Sequence, residues 1–112
     1  MSDLHTLYDE AEKLKDAGNL EEAIGKLQAI IEQDDSFILA HLTLAVVYGR
    51  ANKHAEAVQH GEKACELEPD EAFNFTAMSV TYQRAFAGTQ NQQYIQMAED
   101  AMARAHMLQA NQ

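Results

Sequence analysis

Apolar and small side chains recur along this chain at spacings of three and four, and the pattern itself recurs at a step of 34 residues. Leu14, Ala23, Leu27 and Ile30 are answered by Tyr48, Ala57, Gly61 and Ala64. The short period is that of a helix with one buried face. The long one is that of stacked units, each covering its neighbour's apolar side. Together with the interruptions they predict six helices. The first spans about Asp3 to Ala17 and ends at Gly18; the second follows Asn19, with Glu22 in capping-box register, and runs to about Gln33. The third starts at Asp35 or Ser36, and Ala51-Asn52-Lys53 turns it back. The fourth covers about His54 to Leu67. The fifth is capped by Asp70 and covers about Glu71 to Phe86; the sixth covers about Gln93 to Gln109.

The second unit is the fuller copy: Ala40, Leu44, Ala45, Tyr48, Glu56, Ala57, Val58, Ala64, Leu67 and Pro69 place small residues where helices approach closely and bulky ones between. The first keeps Leu7, Ala11, Leu14, Gly18, Glu22, Ala23, Ile24, Leu27 and Ile30. A third opens on schedule with Phe75, Met78, Ser79 and Tyr82 and resumes as Ala98, Met102, Ala105 and Leu108. This pattern resembles the tetratricopeptide repeat over nearly the whole chain, with Asp35 where the family prefers proline. The resemblance implies an all-α, right-handed α-α superhelix of three antiparallel hairpins, a single domain over residues 1–112 with repeats at about 4–35, 38–69 and 72–110. Tyr82 and Ala98 are 16 residues apart, against 9 for Leu14 to Ala23 and Tyr48 to Ala57. The third hairpin thus carries a seven-residue insertion, and the polar stretch Ala87 to Gln92 reads as its loop.

At 112 residues a three-repeat stack leaves no room for a catalytic domain, and the net charge of −10 disfavours nucleic acid and anionic membranes as partners. The lone Cys65 forms no internal disulfide and no apolar run precedes the first helix, so a cytoplasmic setting is expected. Cys65 itself reads as a small packing residue between Ala64 and Leu67 rather than a redox centre.

Catalytic signatures are missing: the sequence has no glycine-rich phosphate loop, HExxH, CxxC or GxSxG. His5, His41, His54, His60 and His106 show no helical metal-ligand spacing; His41 takes the place of a packing aromatic, and His54 and His60 read as solvent-facing. No enzyme activity, metal or cofactor is expected. Glu21, Glu22, Glu32, Asp34, Asp35, Glu62, Glu66 and Glu68 read as a solvated outer face.

The resemblance implies a different use, a concave surface lined by the first helix of each repeat that grips a segment of another protein. The first repeat brings His5, Tyr8, Glu12 and Lys15 to it; the second Leu39, Leu42, Val46, Gly49 and Arg50; the third Phe73, Thr76, Val80, Gln83 and Arg84. Leu39, Leu42, Val46, Phe73 and Val80 form an apolar strip, and an open strip of that kind marks an interface. Arg50 and Arg84 lie one repeat apart in a chain with few cations, placed to hold a carboxylate. The family's clamp for acidic chaperone tails is not expected, because Tyr8, Glu12, Thr43, Phe73 and Ala77 replace its Lys, Asn and Arg residues. The chain is therefore expected to be a non-catalytic adaptor or small chaperone for a protein or peptide partner. The competing expectation is self-association as a homodimer or larger assembly, through the groove or through Met97, Ala101, Arg104 and Met107 on the last helix, which no further repeat covers.

Overall fold

The computed structural model describes residues 3–111, and among them it contains six helices and no strand. They are α1 (Leu4–Asp16), α2 (Leu20–Gln33), α3 (Ile38–Arg50), α4 (His54–Leu67), α5 (Ala72–Thr89) and α6 (Gln93–Ala110). The Asp3 carboxylate accepts from His5 N at 3.3 Å to start α1. Gly18, at φ 83°, ends it: Asn19 N donates to Leu14 O at 2.8 Å and Gly18 N to Lys15 O at 3.0 Å. These two bonds define a Schellman turn, which requires a left-handed residue and therefore favours glycine. The same turn closes α3 one repeat later around Asn52 at φ 62°, with Lys53 N on Tyr48 O at 2.8 Å and Asn52 N on Gly49 O at 3.1 Å.

α1 packs on α2, α3 on α4 and α5 on α6, and the hairpins join through α2 against α3 and α4 against α5. The first helices also meet one another, α1 with α3 and α3 with α5, so they make one continuous face. The molecule is only 21 Å thick in its shortest dimension, about two helix diameters. Its core comes in two unequal parts. The first two hairpins bury Leu27, Ile30, Leu44 and Val47 completely, flanked by Ile24 and Tyr48. The third hairpin closes around Met78 and Tyr82 but otherwise with small residues, Ala85, Ala98 and Ala101.

Several local expectations need correction. Asn19 stands at the N-cap of α2 but its side chain makes no capping bond. α5 begins one residue later than expected, and it is Glu71, not Asp70, that accepts from Phe73 N, at 3.3 Å. α3 starts at Ile38, because Ser36 turns back on the Asp34 carboxylate through both its N and its Oγ, at 3.0 and 2.7 Å. The largest correction concerns 87–92. Ala87, Gly88 and Thr89 are helical, and only residues 90–92 connect α5 to α6. α5 has 18 residues against 13 in α3, and α6 has 18 against 14 in α4, so the extra chain lengthens helices. Ala85, at the start of the extension, is buried with Ala98 and Ala101 of α6, and Thr89 Oγ1 donates to Ala85 O at 2.7 Å.

Candidate functional site

The face made by α1, α3 and α5 is chemically divided. At its α1 end, Tyr8 OH donates to Glu12 Oε1 at 2.5 Å and lies 2.9 Å from the Oγ1 of buried Thr43, while Lys15 Nζ holds Glu12 Oε2 at 2.7 Å. Burial and the bond to the Glu12 carboxylate push the Tyr8 phenol up to about 12. Burial works against ionised Glu12, but the bonds from Lys15 and Tyr8 outweigh it and keep this carboxyl below its ordinary value. Tyr8 and Glu12 were expected to face a partner; in the fold their polar groups are engaged with one another and with α3.

Between α3 and α5 the face opens. Leu42, Val46, Val80 and Arg84 line a cavity of about 180 Å³ whose base is Ala45, Gly61 and Met78. Gly61 makes this close approach of helices feasible: a Cβ there would stand 2.7 Å from Met78 Sδ. Arg84 also lines a second recess of about 410 Å³ at the end of α3, with Arg50, Asn52, His54 and Gly88. The sequence-expected groove residues Leu42, Val46, Val80, Arg50 and Arg84 therefore come together. Leu39 and Phe73 stand exposed outside both cavities, and Thr76 Oγ1 is turned onto Ala72 O at 3.3 Å.

The charges on this face are unbalanced. Four of the five lysines, Lys15, Lys26, Lys53 and Lys63, contact carboxylates, whereas among the described residues neither Arg50 nor Arg84 makes an ion pair or a side-chain hydrogen bond. His54 is not solvent-facing as expected, since both its ring nitrogens are buried and without a partner among the described residues. Nor is His60: it is half-buried, stacked on Tyr48 at 5.6 Å, with its Nδ1 3.0 Å from Nδ1 of His41. His41 Nε2 is in turn 2.8 Å from Asp35 O. A search by spacing along one helix misses this pair, because its members belong to α3 and α4. No cluster of three or more metal-ligating side chains occurs among the described residues.

Two further cavities lie off this face. One, of about 430 Å³, is bounded by Glu62, Cys65, Phe75, Met97, Ala101 and Arg104, among others. Its polar groups are largely matched internally: Tyr82 OH donates to Glu62 Oε2 at 2.7 Å, and the Arg104 guanidinium sits 5.8 Å from the centre of the Phe75 ring. Burial, with Glu62 and Glu66 alongside, pushes the Cys65 thiol up to about 11, which leaves it protonated and inert. The other, of about 370 Å³, is formed by α5 and α6 alone, between Gln83, Phe86, Ile95 and Met102. This second one lies on the outer side of the third hairpin, away from α4. The expected stripe Met97, Ala101, Arg104 and Met107 is not on it: Met97, Ala101 and Arg104 face the α4 side, and Ala101 is buried in the core.

No protein-family model and no curated protein sequence matches the chain. Solved structures do. A crystal structure of MamA superposes with a TM-score of 0.81 at 17% identity, covering 96% of this chain and 59% of the MamA chain. The second tetratricopeptide domain of Spaghetti (RPAP3), bound to the HSP90 peptide SRMEEVD, gives 0.76 at 20% identity over 94% of this chain and 91% of its own. The first such domain of the same protein, with the same peptide, gives 0.65 at 17% identity, over 96% and 93%. The chain has the tetratricopeptide-repeat fold. As a tetratricopeptide-repeat superhelix it carries the six helices and the all-α architecture that the 34-residue period implies, and it spans 59% of the length of the MamA chain. No helix among the described residues is long and apolar enough to cross a membrane.

Proposed function

We propose that residues 1–112 act as one tetratricopeptide domain, a non-catalytic adaptor of the cytoplasm that holds a segment of a partner protein against α3 and α5. The observation that carries this reading is the cavity in which Leu42, Val46 and Val80 stay open beside the unpaired Arg84. An apolar pocket on a protein of net charge −10 is costly to leave in water and gains by taking an apolar side chain. The Spaghetti domains hold a peptide, which supports a peptide as occupant here, although Glu12 argues against the acidic chaperone tail at its usual position. Nucleic acid and membranes are not proposed as partners, since the charge repels both.

Peptides selected from a random display library on the wild-type chain test this. They are expected to bind in the micromolar range, to lose at least about tenfold on Leu42→Glu or Val80→Glu, and to be indifferent to Met97→Glu. Binding that survives both groove substitutions refutes the reading.

A second reading, homo-oligomerisation, is favoured by the outer side of the third hairpin, where Phe86, Ile95 and Met102 line a cavity that no helix among the described residues covers. Light scattering tests it: a concentration-dependent dimer abolished by Ile95→Glu supports it, and a monomer at all concentrations removes it.

A further inference from the structure

The recess beyond Arg84 has no explanation in the fold. Its two guanidiniums, Arg50 and Arg84, have no anionic partner among the described residues, although acidic side chains outnumber basic ones 18 to 8 in this chain. Both side chains are exposed and line the same recess, and both are planar donors suited to an oxyanion. Arg84 reaches across Gly49, where a Cβ would meet its Cδ at 3.8 Å. The opposite wall is Gly88, on the extra turn of α5, and a Cβ there would fall on His54 Nε2. The His54 ring packs against Gly88 with both nitrogens buried, so it shapes the wall of the recess and leaves the two arginines as its donors.

From this arrangement we infer a carboxylate-binding subsite, formed by Arg50 and Arg84 against the wall made by His54 and Gly88, that reads an acidic side chain directly adjacent to the apolar residue seated between Leu42, Val46 and Val80. The inference rests on the groove reading above, because Arg84 belongs to both cavities and so fixes the distance between apolar anchor and charge at about one residue. A recess of about 410 Å³ has room for a whole side chain, more than a chain-terminal carboxylate on the anchoring residue itself would need. The site differs from the chaperone-tail clamp in position and in residues.

The test follows arginine Nε–Hε and backbone amide resonances of the ¹⁵N-labelled chain at constant ionic strength. Four probes are used: acetyl-Leu-Glu-amide, acetyl-Leu-Gln-amide, acetyl-Ala-Glu-amide and acetyl-leucine, with inorganic phosphate as a separate titrant. The Leu-Glu probe is expected to shift Val46, Val80, Arg50 and Arg84 saturably, and to bind about tenfold tighter than the Leu-Gln probe, the scale of one partly solvated charge-assisted contact. Arg84→Gln and Arg50→Gln each shrink that difference, while Lys13→Gln leaves it intact. Equal binding of Leu-Glu and Leu-Gln overturns the subsite and leaves the groove standing. Equal binding of Leu-Glu and Ala-Glu overturns the groove and the paired mode with it. Acetyl-leucine binding as tightly as Leu-Glu replaces the acidic side chain by a chain end, and phosphate displacing Leu-Glu at lower concentration replaces the carboxylate; either result overturns the assignment. So does the absence of any saturable shift at Arg50 and Arg84.

Discussion

Replacing Gly61 and Gly25 by alanine separates helix propensity from packing within one protein. Both glycines lie inside second helices, Gly61 in α4 and Gly25 in α2. Alanine is favoured over glycine in a helix by about 1 kcal/mol, and at Gly25 nothing stands within 4 Å of the new Cβ. Gly25→Ala should therefore stabilise by close to that amount. At Gly61 the same gain meets Met78 Sδ at 2.7 Å and Cε at 3.2 Å, with Ala45 Cβ at 3.8 Å behind. Overpacking of this kind costs about 1–3 kcal/mol, and the flexibility of methionine places it in the lower half of that range. The net effect of Gly61→Ala is then between about zero and −1 kcal/mol, so the two variants should differ by roughly 1–2 kcal/mol. Urea unfolding followed by circular dichroism at 222 nm resolves this, provided that the slopes agree. The double mutant decides the mechanism. In a Met78→Ala background the obstruction is gone, and Gly61→Ala should stabilise about as well as Gly25→Ala does. A wild-type background in which Gly61→Ala already matches Gly25→Ala, or a penalty that survives Met78→Ala, refutes the packing argument.

Three other outcomes are expected. Cys65, pushed up to about 11 from 9.0, should react with iodoacetamide at pH 7.5 about 100-fold more slowly than an unperturbed thiol, and a rate near that of free cysteine contradicts its burial. Burial, and after it the neighbouring His41, hold His60 below its ordinary pKa of 6.5, so the unfolded chain takes up the proton first. Stability should then be complete above about pH 6.5 and fall as the pH drops toward 5, before Glu12 and Asp34 begin to titrate. His60→Phe should flatten urea midpoints over that window, and an unchanged slope refutes the assignment. Amides of α6, which buries only Ala98, Ala101 and Ala105, should exchange with solvent at least about tenfold faster than those of α2 or α3; equal protection contradicts the uneven core.

Helix order and the turns were legible because they depend on local physics. Gly18 and Asn52 occupy equivalent left-handed positions one period apart, and the buried faces of α2 and α3 follow the helical spacing. What the sequence concealed depends on contacts between distant residues. Gly88 and Thr89 look like loop, yet the helix whose Ala85 is buried with α6 residues continues through them. Ala101 was placed on an uncovered stripe, yet it lies within one turn of Ala98 and Ala105 and shares their buried face. His41 and His60 are 19 residues apart and meet only across two helices. Leu42, Val46, Val80 and Arg84, which the period of the first helices puts on one face, line one cavity. The burial of the His54 ring was not foreseen, since polar residues at helix starts ordinarily face water.

The five residues by which α5 outruns α3 add about 7 Å of continuous helix along one side of the arginine recess. A barrier built this way has no hinge, so a ligand meets it already in place. The kinetic consequence is a single-step encounter: the observed association rate should climb linearly with ligand concentration and show no plateau from a slow closure. Selectivity would then reside in how quickly a mismatched segment leaves, and the length of one helix, rather than the motion of a loop, would govern how long the right one stays.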